Sequence, residues 1–246
     1  PACCVFGKCT ACCTTLTCAS PALYPIIFLH GHSVSKSKSP EFSLDVFNKL
    51  QYKLQGDGYL NAGIVSPYSD PEAFARGEWG RSGVPVTVKV SYYYDAYYNV
   101  TDYIVVPRTS ENIDIYAIRL KALVETVKYR TGKPKVNIIA HSMGGLVARR
   151  YIQLFGEDSV DKLVLVATPN KGIEGQLESF CTVLGEKREC GDMAVGSVFM
   201  GKLNDLAGQP KQVKAYTITG TGCNTRGLDG DGIVAAASSR LSFARN

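Results

Sequence analysis

The stretch Val136-Asn-Ile-Ile-Ala140-His141-Ser142-Met143-Gly144-Gly145-Leu146 constrains the fold more than any other part of the chain. Val136 to Ala140 is a short run rich in β-branched residues, the pattern of a strand buried on both faces. Leu146, Val147, Tyr151 and Leu154 follow at helical spacing with no linker between. The backbone therefore has to turn sharply around Ser142. Ala140 and Gly144 supply the small side chains that such crowding demands. A strand feeding straight into a helix is the opening of a crossover, and crossovers build parallel sheets.

The rest of the chain keeps this alternation. Ile26 to Leu29 is a second apolar run of strand length. Ser39-Pro40-Glu41 reads as a helix start, with Pro at the first helical position. Val46, Phe47, Leu50 and Leu54 then recur at helical spacing up to Gly56. Val84 to Tyr94 contains another strand. Ile113, Ala117, Leu120, Val124 and Val127 form an apolar helical stripe that Gly132 and Pro134 stop. Leu163 to Ala167 and Val213 to Thr219 complete the strands. The expected fold is α/β, a mostly parallel central sheet with helices on both faces. A chain of 246 residues that is 45% hydrophobic has the material for one large core. No run approaches the ~20 apolar residues of a membrane helix. The net charge of +5 is scattered and does not call for nucleic acid.

Two stretches break the alternation. Residues 92–109 carry Tyr92, Tyr93, Tyr94, Tyr97, Tyr98 and Tyr103. Residues 171–210 form an insertion far longer than an ordinary loop. Within it Met193, Val195, Val198, Phe199, Leu203 and Leu206 read as amphipathic helix. That helix is either one more packed element or a lid or cap over a site.

A serine held in a strand–turn–helix junction is exposed at the carboxyl edge of the sheet, where the helix presents its N-terminal amides to a developing oxyanion. The segment resembles the nucleophile elbow of α/β-hydrolase lipases, and Ala140 in place of the first glycine resembles the Bacillus-type Ala-x-Ser-x-Gly pattern. Ile26-Ile-Phe-Leu-His30-Gly31-His32 is similar to the strand and His-Gly loop of those lipases. Lys162-Leu-Val-Leu-Val-Ala-Thr168-Pro169-Asn170 resembles the strand and turn after the elbow helix. Asp231-Gly-Ile-Val234, with Ser239-Arg-Leu241 and Ala244-Arg-Asn246, resembles the acid loop and its sequel. The resemblance covers about a third of the chain and omits the tyrosine-rich stretch and the insertion. It implies an α/β-hydrolase fold and a serine carboxylic ester hydrolase, a lipase or esterase acting through an acyl-enzyme on apolar acyl esters. Ser142 is then the nucleophile, and the backbone N–H groups of His32 and Met143 form the oxyanion hole. No metal or organic cofactor is implied.

Leu228-Asp229-Gly230-Asp231-Gly232 offers two acids. The resemblance implies Asp231, whose distance to Ile233-Val234 and to Ser239-Arg240-Leu241 matches the family pattern, and leaves Asp229 as a turn residue. The base is missing. The histidines are His30, His32 and His141. His30 reads as a structural residue, and His141 sits beside the nucleophile with its ring turned away from it. In this fold the base follows the acid in chain order, so the catalytic His is expected beyond Asn246, on the far side of a strand not yet begun there. The tail carrying it is separate or exchanged in a homodimer. Without it two further readings stand, an acyltransferase or thioesterase on the same site and a non-catalytic binding module.

Residues 1–20 are a Cys-rich N-terminal segment ahead of the hydrolase domain at 21–246, whose C-terminal end reads as incomplete. Cys3, Cys4, Cys9, Cys12, Cys13 and Cys18 form a disulfide knot, a zinc site or a lipidated segment. Cys181 and Cys190 are expected to pair. Pro1 opens the chain without Met or a signal peptide. The start therefore reads as processed or trimmed, and the expectation is a secreted protein, or one tethered to a membrane or lipid surface through a missing upstream segment, with a cytoplasmic one as the alternative.

Overall fold

The computed structural model describes residues 2–5, 8–11, 20–32, 40–67, 75–98, 103–107, 111–175 and 187–246. In the Cys-rich segment β1 (Ala2–Val5) and β2 (Lys8–Ala11) form an antiparallel hairpin, with Cys4 opposite Cys9. Then come β3 (Ile26–Leu29), a 3-10 segment Pro40–Phe47 that runs into α1 (Asn48–Gly56), β4 (Leu60–Val65) and β5 (Val86–Val90). The tyrosine-rich stretch makes the hairpin β6 (Tyr94–Tyr98) and β7 (Tyr103–Pro107). After it follow α2 (Ile113–Thr131), β8 (Val136–His141), α3 (Met143–Phe155) and β9 (Val160–Val166). The insertion contributes α4 (Lys187–Met193) and α5 (Val198–Leu203). The chain then makes β10 (Lys214–Ile218), a hairpin of β11 (Cys223–Thr225) and β12 (Leu228–Gly230), and α6 (Ala236–Ser239).

Six strands form one sheet in the order β10-β9-β8-β3-β5-β4, and every pairing is parallel. Strand β3 shows why its sequence is apolar throughout. Ile27 and Leu29 join the main core with α2 and α3, while Phe28 faces the other way and stacks on Phe47. Helix α2 follows its stripe, with Ile113, Ala117, Leu120, Val124 and Val127 fully buried. Asn112 caps it by accepting the Ile115 N–H, and Gly132 ends it in the left-handed conformation, at φ 67°.

Three expectations are corrected. The first helix buries Leu44, Phe47 and Gln51, while Val46 and Leu50 are exposed. Its opening turns are 3-10, so the side chains advance by three residues per turn and not 3.6. Among its described residues the insertion forms two short helices and not one, because Ser197 starts a new helix by accepting the Met200 N–H. Met193, Phe199, Met200 and Leu203 sink into the core, while Val195, Val198 and Leu206 stay exposed. The third correction is at the C-terminal end, where parallel pairing, expected only past Asn246, already shows as one isolated bridge. Arg245 bridges Tyr216 in parallel, with Thr217 N–H donating to its carbonyl at 2.8 Å. No helix among the described residues is long and apolar enough to cross a membrane.

Candidate active site

Ser142 sits at the junction of β8 and α3 with φ 52° and ψ −129°. A non-glycine residue pays for such a backbone, and the surroundings enforce it. The Ser142 N–H donates to the Val166 carbonyl at 2.8 Å, and its own carbonyl accepts from Gly145 N–H at 3.0 Å. Two glycines let the loop after β3 close on this turn. A Cβ on Gly144 would lie 2.2 Å from the His30 carbonyl oxygen, and one on Gly31 would lie 2.8 Å from the Ser142 Cβ. His32 therefore follows directly on the residue that touches Ser142, and Met143 opens the helix behind it. The two backbone positions read as oxyanion donors flank the serine.

Asp231 follows β12. A Cβ on Gly220, just past β10, would stand 2.6 Å from the Asp231 Cβ, so the acid lies over the carboxyl end of the sheet. Its Oδ1 accepts the N–H groups of Ile233 at 2.8 Å and Val234 at 2.7 Å. Asp229 is exposed and closes its own hairpin by accepting the Gly222 N–H at 2.7 Å. Burial lowers the pKa of His141, and the Asp231 carboxylate pulls it partly back up. The charge of Asp231 is thus felt next to the serine, at the end of β8. Beside the acid hairpin a cleft of about 240 Å³ opens, walled by Ile173, Val195, Leu228 and Ile233, with Lys171 and Arg226 among its lining residues.

The three histidines are differently placed. His30 is fully buried, with Nδ1 2.8 Å from the Gly31 carbonyl and Nε2 3.1 Å from Ser91 Oγ. Burial brings its pKa down to about 4, so it is neutral at pH 7 and both ring nitrogens are engaged. His141 lies against the loop after β3, its Nδ1 3.1 Å from where a Gly31 Cβ would be. His32 points its ring at Glu189 of α4, Nδ1 to Oε2 2.5 Å. Glu189 also accepts from the hydroxyls of Tyr93 at 2.9 Å and of Tyr116. Sequence reasoning misses Glu189, since Lys187-Arg188-Glu189 carries the ordinary signature of a solvated face.

Cys190 is buried and disulfide-bonded. Its partner, and with it the expected pairing to Cys181, lies outside the described residues. Cys223 is an exposed free thiol.

A parallel sheet with a strained serine at a strand–helix junction and an acid past a later strand defines an α/β-hydrolase fold. A family model described as alpha/beta hydrolase fold matches residues 85–180. Among solved structures, Bacillus licheniformis lipase BlEst2 in mature form is similar, with a TM-score of 0.54 and 16–17% being the level of identity across its forms, at 17% here, covering 92% of this chain and 83% of that one. Phospholipase PlaB from Legionella pneumophila, in complex with thio-NAD, matches with a TM-score of 0.57 and 17% identity, covering 88% of this chain and 44% of that one. Phospholipase A(1) LCAT3 of Arabidopsis thaliana is 41% identical over 71 residues, 28% of this chain, and the match spans only 16% of that protein's length.

Proposed function

We propose that this chain carries the nucleophile, acid and oxyanion hole of a lipase-type serine ester hydrolase. The observation that supports this most is the backbone of Ser142, held at φ 52° where a strand becomes a helix. Strain of this kind persists only where the surroundings impose it, and it lifts the hydroxyl out of the helix toward substrate. Ser142 Oγ attacks the ester carbonyl carbon while a base takes its proton. The N–H groups of His32 and Met143 receive the oxyanion. The alcohol leaves with that proton, and water then releases the acid from the acyl-enzyme. Asp231 orients the base and stabilises its imidazolium form.

None of the three histidines present serves as that base in this reading. His30 is locked and neutral, His32 is tied to Glu189, and His141 adjoins the nucleophile on the same strand end. The reading therefore assigns the nucleophile, the acid and the oxyanion donors, and leaves the base unassigned among these three histidines. Lipid esters are the favoured substrates, in keeping with the lipase and phospholipase names of the similar proteins.

The test is labelling by a fluorophosphonate probe, with hydrolysis of p-nitrophenyl esters, on the full-length protein. Wild type should label at Ser142, and Ser142→Ala should lose both label and hydrolysis by several orders of magnitude. Residual hydrolysis within about tenfold of wild type refutes the nucleophile assignment. A wild-type protein that does not label favours a binding module.

A further inference from the structure

The tyrosine-rich stretch and the insertion meet at one buried carboxylate. Glu189 of α4 is 1% exposed. A carboxylate only accepts, so the hydrogens of its three bonds come from His32 Nδ1–H, Tyr93 O–H and Tyr116 O–H. Its Oε2 takes His32 and Tyr93, and its Oε1 takes Tyr116. The His32 side chain is itself only 12% exposed. Placing a charge there costs several kcal/mol of hydration, which only a full set of donors offsets. Packing alone would be better served by an apolar side chain of the same volume.

The geometry points to a role for this carboxylate: we propose that Glu189 is a positioning residue for the oxyanion-binding loop. The proposal rests on the ester-hydrolase reading above. The peptide that presents the His32 N–H is clamped on both sides. Upstream, both ring nitrogens of His30 are hydrogen-bonded, and Tyr92 O–H donates to the His30 carbonyl at 2.8 Å. Between lies Gly31, a residue with no side chain to brace it. Downstream, the His32 ring is held by Glu189 and by Tyr93, whose hydroxyl is also 3.4 Å from Nδ1. The His32 side chain acts as a tether and its backbone as the donor. An oxyanion donor acts on the transition state and hardly on the ground state, so loosening it lowers kcat and leaves KM nearly unchanged.

The experiment is steady-state hydrolysis of p-nitrophenyl butyrate by the full-length protein, read well below each variant's Tm. Wild type is first labelled by the fluorophosphonate probe. Absence of Ser142 label overturns the ester-hydrolase reading and this inference with it. Given labelling, Glu189→Gln should lower kcat about 10- to 100-fold with KM within about threefold. His32→Asn keeps the backbone donor and loses the tether, and should fall by a similar factor. The double variant should be no worse than the poorer single one, because both remove the same link. A Glu189→Gln protein with lowered Tm but kcat within about threefold of wild type makes the carboxylate merely structural and overturns the proposal, as do single losses that multiply in the double variant. If Glu189→Gln does not fold, Tyr116→Phe decides, since it removes one donor and keeps the ring. A kcat loss of at least about fivefold at constant KM supports the proposal, and an unchanged kcat refutes it.

Discussion

Gly144→Ala adds one methyl group at the tightest point of the site. Its Cβ would stand 2.2 Å from the His30 carbonyl oxygen and 2.9 Å from that of Leu29. Carbon and oxygen in contact need more than about 3 Å, so the first turn of α3 and the end of β3 must separate by roughly 1 Å. Both neighbours are backbone, and neither can rotate away. Overpacking of this size costs about 1–3 kcal/mol, or roughly 2–12 °C of Tm for a chain of this length. The larger effect falls on catalysis. The separation pulls Met143 and Ser142 away from His32, and a misplacement of about 1 Å can cost 100-fold. The expected outcome is a kcat near 1% of wild type with KM changed by about threefold at most, measured on p-nitrophenyl butyrate alongside a thermal melt. Gly201→Ala is the control, because Gly201 lies on the exposed side of α5 and a Cβ there would meet nothing within 4 Å. It should leave activity intact and Tm unchanged or slightly raised. If Gly144→Ala keeps kcat within about threefold and Tm within about 1 °C, α3 does not sit against the β3 loop as described and the geometry of the site is wrong.

Asp231→Asn should reduce kcat by at least about 100-fold, while Asp229→Asn, which weakens only a hairpin bond to Gly222, should cost less than about fivefold; equal losses or the reverse order would reassign the acid. His30 sets a pH dependence of stability. Its folded pKa is about 4 against about 6.5 unfolded, so above pH 6.5 both states are neutral and nothing is lost. Between pH 6.5 and 4 the unfolded chain binds a proton that the folded one refuses, and stability falls by up to about 3 kcal/mol. Urea titrations at pH 7.5 and 4.5 should show a smaller drop for His30→Gln than for wild type, and identical drops would mean that His30 titrates freely in the folded protein.

Where apolar periodicity and burial coincide, the fold was legible in the sequence. Strands β3, β8 and β9 and helices α2 and α3 are apolar runs or stripes that stand where the patterns put them, and β10 stands there too with Lys214 and Ile218 exposed at its ends. Strand β4 carries no such pattern. Leu60-Asn-Ala-Gly-Ile-Val holds the sheet edge, Gly63 is at φ 76° and the register slips between Asn61 and Ile64. It gains its place from pairing with β5 and not from its own preference. Gln51 was equally hidden. It is 3% exposed on the buried face of α1 because it donates to Asn61 Oδ1 at 2.7 Å, a partner that no helical period can announce. The same holds for the site. Ser142 was legible because a tight turn leaves its mark in neighbouring small residues, and Asp231 because its loop is local. Glu189 meets His32 across 157 positions, and only the folded chain brings them together.

The insertion was expected to be a packed helix or a movable cap, and the buried polar groups distinguish the two for α4 and α5. Helix α4 is held by Glu189 to His32 and the tyrosines, and by Asp192, which accepts the Ile113 N–H at the start of α2 at 2.9 Å. Helix α5 is held at its C-terminal end by Arg149 of α3. That guanidinium, 5% exposed, donates to the Leu203 carbonyl at 3.1 Å and Asn204 Oδ1 at 2.8 Å, and its other arm donates to Asn170. Burial lowers its pKa to about 10, still well above neutrality, so the charge stays. Lifting either helix would leave a buried ion without its partners, at about 3–5 kcal/mol each. A lid that opens on every turnover has to be drawn from the weakly held parts of a structure. Helices α4 and α5 are tied by buried polar groups, α4 to the loop after β3 and to the start of α2, and α5 to α3, the helix that Ser142 opens.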